Sequence, residues 1–270
     1  MSFMHDEYTI AWICALPLEM AAAKAMLDRT HPSLQQSRTD DNSYTLGSIH
    51  GHNVAMRATF QNIQLGLMVG IGGGVPSVDA DIRLGDVVVS KPAGIYGGVI
   101  QYDYGKSIRH GRFQRTGSFN KPPLAFLTTS VHEVIGDVFR PREDQLFSAT
   151  YDHQDESLGC CRCDESKLIT RPPRANNNPR IHYRLITSGD QVMKDATIRD
   201  AIAQDLSILC FEMEAAGLMD QLPSLVVRGI CDYCDSHKHK NWQAYAALAA
   251  AAYARVLLSF VPLGTPHPGV

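Results

Sequence analysis

Glu212 and Glu214 stand either side of Met213 inside the apolar run LCFEMEAAG at 209–217. A buried carboxylate is costly unless it is paired or hydrogen-bonded, so two of them at this spacing call for a purpose. On an extended strand end both acids face one way and Met213 the other. They are then placed to hydrogen-bond vicinal hydroxyls, or to cap the helix that follows. Further on, RGICDYCDSH puts Asp232 directly after an apolar strand, a position that suits a general acid or an N-cap. Glu19, in ALPLE, falls in the first turn of a helix behind the first strand. GIGGG, Gly70 to Gly74, follows another apolar run. Such glycines let a ligand approach the backbone, or simply make a tight structural turn.

These residues sit at strand ends, where open α/β sheets place their ligands. Apolar runs predict strands at 8–15, 52–58, 67–71, 86–90, 181–188 and 224–231, and helical periodicity predicts helices at 18–28, 196–205, 214–222 and 242–260. The alternation indicates an α/β fold: a single-domain three-layer α/β/α arrangement over residues 1–270, with a central, mostly buried mixed sheet flanked by helices. Residues 105–180 form a polar excursion, expected to hold one helix at 122–135 and ending in RPPRANNNPR. The link at 59–66 is too short for an ordinary parallel crossover. It predicts either antiparallel pairing of the strands it joins or a missing piece.

Composition narrows the function classes. The 270 residues are 44% hydrophobic and 20% charged, with a formal net charge of -3. No basic run supports nucleic-acid binding, and the alanine-rich 245–261 stretch, broken by Arg255, reads as a packed helix rather than a membrane span. The odd cysteine count in apolar contexts and the absence of a signal-peptide charge pattern point to a cytoplasmic, reducing setting. In the cluster CCRC, zinc ligation by Cys160, Cys161 and Cys163 lacks a well-spaced fourth ligand among His153 and His182 and lacks the paired C-x-x-C spacings. A loop of reduced thiols is the expectation, with no metal and no cofactor.

The order of these features resembles the superfamily of purine nucleoside phosphorylases and methylthioadenosine/adenosylhomocysteine nucleosidases, in the version similar to fungal domains associated with NLR-type or ankyrin proteins. The resemblance rests on VGIGGGVPS, DIRLGDVVVS, QYDYGK, IHYRLITSGDQVMKDA, LCFEMEAAGLM and RGICDYCDSHKHKNWQAYAA, spread over most of 8–260. It implies that Glu214 binds the ribose hydroxyls over Met213, that Asp232 protonates the purine, and that Gly72 and Gly73 line base and sugar beside Phe211. It also implies that Glu212 supports the pocket. Val192 falls where the nucleosidases place an aromatic against the base, so the chain departs from the pattern there.

Neither the ALPLE loop nor 62–66 supplies the arginines with which family phosphorylases hold phosphate. Glu19 matches the nucleosidase residue that positions water. The resemblance therefore implies a purine nucleoside N-ribosyl hydrolase acting on adenosine or inosine. A phosphate-dependent phosphorylase or a nucleotide-sensing domain is the alternative. The expected partners are a small purine nucleoside and a second copy of the chain, a dimer, with QYDYGK a candidate for the interface or the 5′ side.

Overall fold

The computed structural model describes residues 3–34, 44–56, 62–77, 79–108, 112–115, 119, 140–153, 159–222, 224–238 and 240–263. The expected helix at 122–135 lies outside them. The strands are β1 (Ile10–Ile13), β2 (Arg29–Thr30), β3 (Thr45–Ile49), β4 (His52–Met56), β5 (Leu65–Gly74), β6 (Val87–Ser90), β7 (Val99–Gln101), β8 (Gly105–Ile108), β9 (Arg112–Arg115), β10 (Ile181–Ser188), β11 (Ile208–Glu212) and β12 (Ser224–Asp232). The α-helices are α1 (Pro17–Ala25), α2 (Ala196–Leu206) and α3 (Gln243–Leu258).

All but β8 and β9 join one mixed sheet in the order β11-β10-β6-β12-β5-β1-β4-β3-β2, with β7 added beside β10. β11 also returns to pair antiparallel with the end of β5, through Cys210↔Gly74 and Phe211↔Gly73. Strands β5, β12, β6, β10 and β11 therefore close on themselves. β6 and β12 are buried at every residue, which is why they read as unbroken apolar runs rather than alternating ones.

Three expectations are corrected. The glycines at 70–74 lie within β5 rather than in a turn after it, because the strand continues between β12 and β11. The expected helix at 214–222 is only a 3-10 turn, Ala215–Gly217, followed by hydrogen-bonded turns. Gly217 is a poor helix former, and Pro223 has no N–H to continue one. Of the two readings of the short link, antiparallel pairing of the strands it joins is excluded, and the missing piece stands. β4 and β5 lie on opposite sides of β1, both parallel to it.

α3 rests on β12 at unusually close range, since a Cβ at Gly229 would overlap the backbone of Ala246. Alanine along the helix and glycine beneath it permit that approach, and Trp242 and Tyr253 fill the space at either end.

The stretch RPPRANNNPR is not a loose linker. Asp86, buried, holds it down: Arg174 bonds both carboxylate oxygens at 2.7 Å, His182 Nε2 lies 3.0 Å away, and the Arg180 N–H donates at 2.9 Å. Burial works to raise the Asp86 pKa, but Arg174, His182 and the Arg180 amide outweigh it and hold it below the usual carboxylate range. Asp86→Ala is expected to cost about 3 kcal/mol in urea unfolding at neutral pH, the low end for a broken buried pair because Asp81 still contacts Arg174. Because the folded pKa is depressed, this stabilisation is present above the unfolded value of about 3.9 and is lost as pH falls through the folded one. The gap between variant and parent should therefore narrow in acid.

A cavity of about 600 Å³ adjoins this cluster, lined in part by Pro76, Ile82, Leu146, Arg171 and Arg174. Arg171 pairs with Asp144, and Arg174 with Asp81 and Asp86, so the charge of both guanidinium groups is already met.

Candidate active site

Gly73 is the meeting point. On one side of β5 it pairs with Phe211 of β11, and on the other with Asp232 of β12. The β12 register slips between Ile230 and Asp232, an irregularity of the kind that re-aims a side chain at a strand end. A Cβ on Gly73 would come within 2.8 Å of Asp232 Oδ1 and overlap the Cys234 sulfur. Glycine is required here by the closeness of three strands.

Asp232 is buried and acts as an acceptor on three sides. Lys238 Nζ lies 3.0 Å from Oδ2, the Cys231 thiol donates to the same oxygen at 3.1 Å, and the Cys234 N–H donates to Oδ1 at 3.0 Å. Lys238 was not anticipated from the sequence. Burial works to lower its pKa, and the Asp232 charge outweighs that and raises it.

One strand turn away, Arg228 pairs in register with Gly70 and is fully buried. Its guanidinium contacts Glu212 and bonds Glu214 Oε2 at 2.8 Å. The two acids of LCFEMEAAG thus face one way, as alternation predicts. Burial opposes the charge on Arg228, and Glu212 and Glu214 override it, raising its pKa. Arg228 was legible only as a charge in an apolar strand.

The acids divide the work. The Glu212 side chain is 0% exposed and accepts from the Glu214 and Ala215 N–H groups at 3.1–3.2 Å. It is both cap and counterion. Glu214 is 36% exposed at its side chain and accepts no capping bond. Burial raises its pKa, partly offset by Arg228. Of the pair, Glu214 is the one open to a ligand.

Glu19 sits at the first turn of α1 and is buried. Its Oε2 accepts from Ala15 and Leu16 N–H at 2.9 Å each, and its Oε1 accepts from Ile71 N–H at 2.8 Å. A Cβ on Gly70 would overlap both Glu19 Oε1 and Arg228, so the two groups share the space above that glycine. Glu19 therefore joins the Arg228–Glu214 cluster, with Oε1 keeping one lone-pair direction for a further donor.

Phe211 is buried and meets Tyr102 edge to face at 5.6 Å. Tyr102 belongs to QYDYGK, and its hydroxyl donates to the Gln191 carbonyl. Met213 lies 42% exposed beside the acids, and Val192 is 50% exposed. Gly72 is enclosed by Cys210, the Phe211 carbonyl and Arg228.

The CCRC region adds an arrangement that linear spacing hid. Cys160, Cys163 and His153 place one sulfur or ring nitrogen each within 4.8 Å of one another. His182, the other histidine weighed for this cluster, is instead on Asp86.

Comparison with known proteins fixes the fold. The solved 5′-methylthioadenosine/S-adenosylhomocysteine nucleosidase of Streptococcus pneumoniae, in complex with 8-aminoadenine, superposes with a TM-score of 0.60 at 17% identity, covering 94% of this chain and 100% of that one. The chain has the fold of this nucleosidase. Futalosine hydrolase of Helicobacter pylori shares this nucleosidase-like fold with a TM-score of 0.60 at 14% identity, over 96% of this chain and 100% of its own. In sequence, the 5′-methylthioadenosine/S-adenosylhomocysteine nucleosidase of Mycobacterium tuberculosis is 23% identical over 95% of this chain and 98% of itself. A nucleotide-binding leucine-rich repeat (NLR)-like protein of Hyaloscypha variabilis is 42% identical over 96% of this chain, which spans about 30% of that relative's length. That alignment runs over 297 residues, more than the 270 of this chain, so the relative carries residues with no counterpart here. No protein-family model matches the chain. Among the described residues no helix is long and apolar enough to cross a membrane.

Proposed function

We propose that this chain is a purine nucleoside N-ribosyl hydrolase. The observation that carries the reading is the convergence on β5: Asp232 beside Gly73, with the Glu19, Arg228 and Glu214 cluster above Gly70. Glycosidic cleavage develops positive charge on the sugar and negative charge on the departing base. Glu214 fixes the ribose hydroxyls over Met213, and its carboxylate favours the cationic sugar. Asp232 takes a proton from solvent at Oδ2 as Lys238 withdraws, and delivers it to the purine as the bond breaks. Glu19 orients the attacking water through its remaining Oε1 lone pair, with three backbone N–H bonds fixing its position. The nucleosidases and the hydrolase that share the fold support the same chemistry.

Hydrolysis is favoured over phosphorolysis because Arg228, the arginine described in this cluster, is already spent on two carboxylates. Phosphate needs unpaired fixed donors. Incubation with adenosine and inosine, followed by HPLC, is expected to release free base and ribose at the same rate with and without phosphate. Strict phosphate dependence would establish the phosphorylase instead. Tight binding without turnover would establish a sensing domain, a reading favoured by the similarity to part of an NLR-like protein.

A further inference from the structure

We propose that His153, Cys160, Cys163 and His237 form a structural zinc site that clips the polar excursion onto the loop carrying Asp232 and Lys238. Cys160 and Cys163 are a C-x-x-C pair on and just after a 3-10 turn, Gly159–Arg162, the local geometry that directs two sulfurs to one side. His153 brings a ring nitrogen to the same point, all three atoms lying within 4.8 Å of one another. Ligand atoms on one tetrahedral zinc sit about 3.3–3.8 Å apart, given bonds of about 2.0 Å to nitrogen and 2.3 Å to sulfur. The observed cluster needs only a small contraction.

His237 supplies an independent observation. It is 7% exposed, yet neither ring nitrogen has a hydrogen-bond partner among the described residues. Buried imidazole nitrogens are normally satisfied. Its ring centre lies 5.4 Å from that of His153 with the planes at 71°. Two imidazoles on one tetrahedral zinc have centres roughly 5 Å apart, from the same bond length. The ring stacks on Phe147 at 4.1 Å and lies 5.3 Å from Tyr151, and ligation requires the side chain to reorient until one nitrogen meets the His153, Cys160 and Cys163 cluster.

The surroundings are built to support the site. The backbone N–H of His153 donates to Ser236 Oγ at 2.9 Å, and the Cys160 sulfur lies beside the His237 backbone, its thiol bond to the carbonyl ending when the proton leaves. Two thiolates and two neutral imidazoles make a charge-balanced set for Zn²⁺, and that soft donor combination favours zinc over magnesium or calcium. Binding releases the two thiol protons to solvent.

The test uses the full chain, reduced and stripped with chelator, titrated with Co²⁺ and then Zn²⁺. One Co²⁺ per chain is expected, giving tetrahedral ligand-field absorption and a sulfur-to-cobalt charge-transfer band that Zn²⁺ abolishes. Cys163→Ser should weaken binding by more than about 100-fold, beyond the loss typical of outer-shell changes. His237→Ala should weaken binding while keeping the charge-transfer band, and Cys14→Ser should change nothing. Zn²⁺ should also raise the thermal midpoint of the parent chain, a reading that does not depend on any variant folding. Absence of the charge-transfer band in the reduced parent, or unchanged affinity in Cys163→Ser, would overturn the site. Unchanged affinity in His237→Ala would overturn the fourth ligand.

Discussion

Asp232→Asn is expected to lower kcat on purine nucleosides about 10²–10⁴-fold, the usual worth of a general acid. The change is nearly isosteric. The side-chain oxygen can still accept from the Cys234 N–H, while the new amide nitrogen gives up the bonds that Oδ2 accepts from Lys238 and the Cys231 thiol. In the proposed reaction, what is lost is the group that carries the proton to the departing base. KM should move little, because Glu214, the proposed ribose clamp, stays in place. A riboside whose leaving group departs as a stable anion needs no proton, and with it the variant should recover most of the parent's rate. Steady-state kinetics on both substrate types checks the assignment, and an unchanged kcat on inosine would remove Asp232 from the mechanism.

Arg228→Met should destabilise the chain by about 3–5 kcal/mol, as when one member of a buried pair is removed. Glu212 has no exposed side-chain surface and would keep its charge without a cation. Glu214 and Glu19, whose charges also act on Arg228, would then face Glu212 unscreened. Two outcomes follow in one experiment. Urea unfolding should show the lower midpoint, and nucleoside binding should weaken because Glu214 loses the guanidinium that orients it. Adding Glu212→Gln to the variant removes the orphaned charge, so the double variant should regain stability relative to the single one. Additive losses would mean that the pair does not interact as described.

Much of the fold was readable from residue pattern alone. The strand at 181–188 was marked by its apolar run and matches β10, and α3 was marked by an alanine-rich stretch broken by Arg255. The misread elements share a cause. Glycine reads as a chain break, but in β5 it answers crowding from two neighbouring strands, and crowding is a tertiary fact. Of the candidate site, Glu212 and Glu214 were singled out as costly charges in an apolar run, Asp232 by its place after a strand, and Glu19 by the resemblance. Lys238 and the β12 register slip were not, since an exposed-looking lysine and a single bulged residue leave no periodic trace. The proximity of His153 to His237 joins positions far apart in sequence, and spacing rules do not reach that far.

The closed set of strands around Gly73 also governs how this chain meets others. A sheet edge with free N–H and C=O groups is a template for recruiting another strand. Here the second side of β11 is taken by β5 at Cys210 and Phe211, so the site half of the sheet offers little free backbone there. At the far end the order finishes in β2, a two-residue strand with both residues exposed. So short an edge is a poor nucleus for backbone pairing. At these two edges, contacts with a second copy, or with neighbouring segments of a longer polypeptide, therefore fall to side chains. Such contacts can be tuned residue by residue without disturbing the half of the sheet that carries the candidate site.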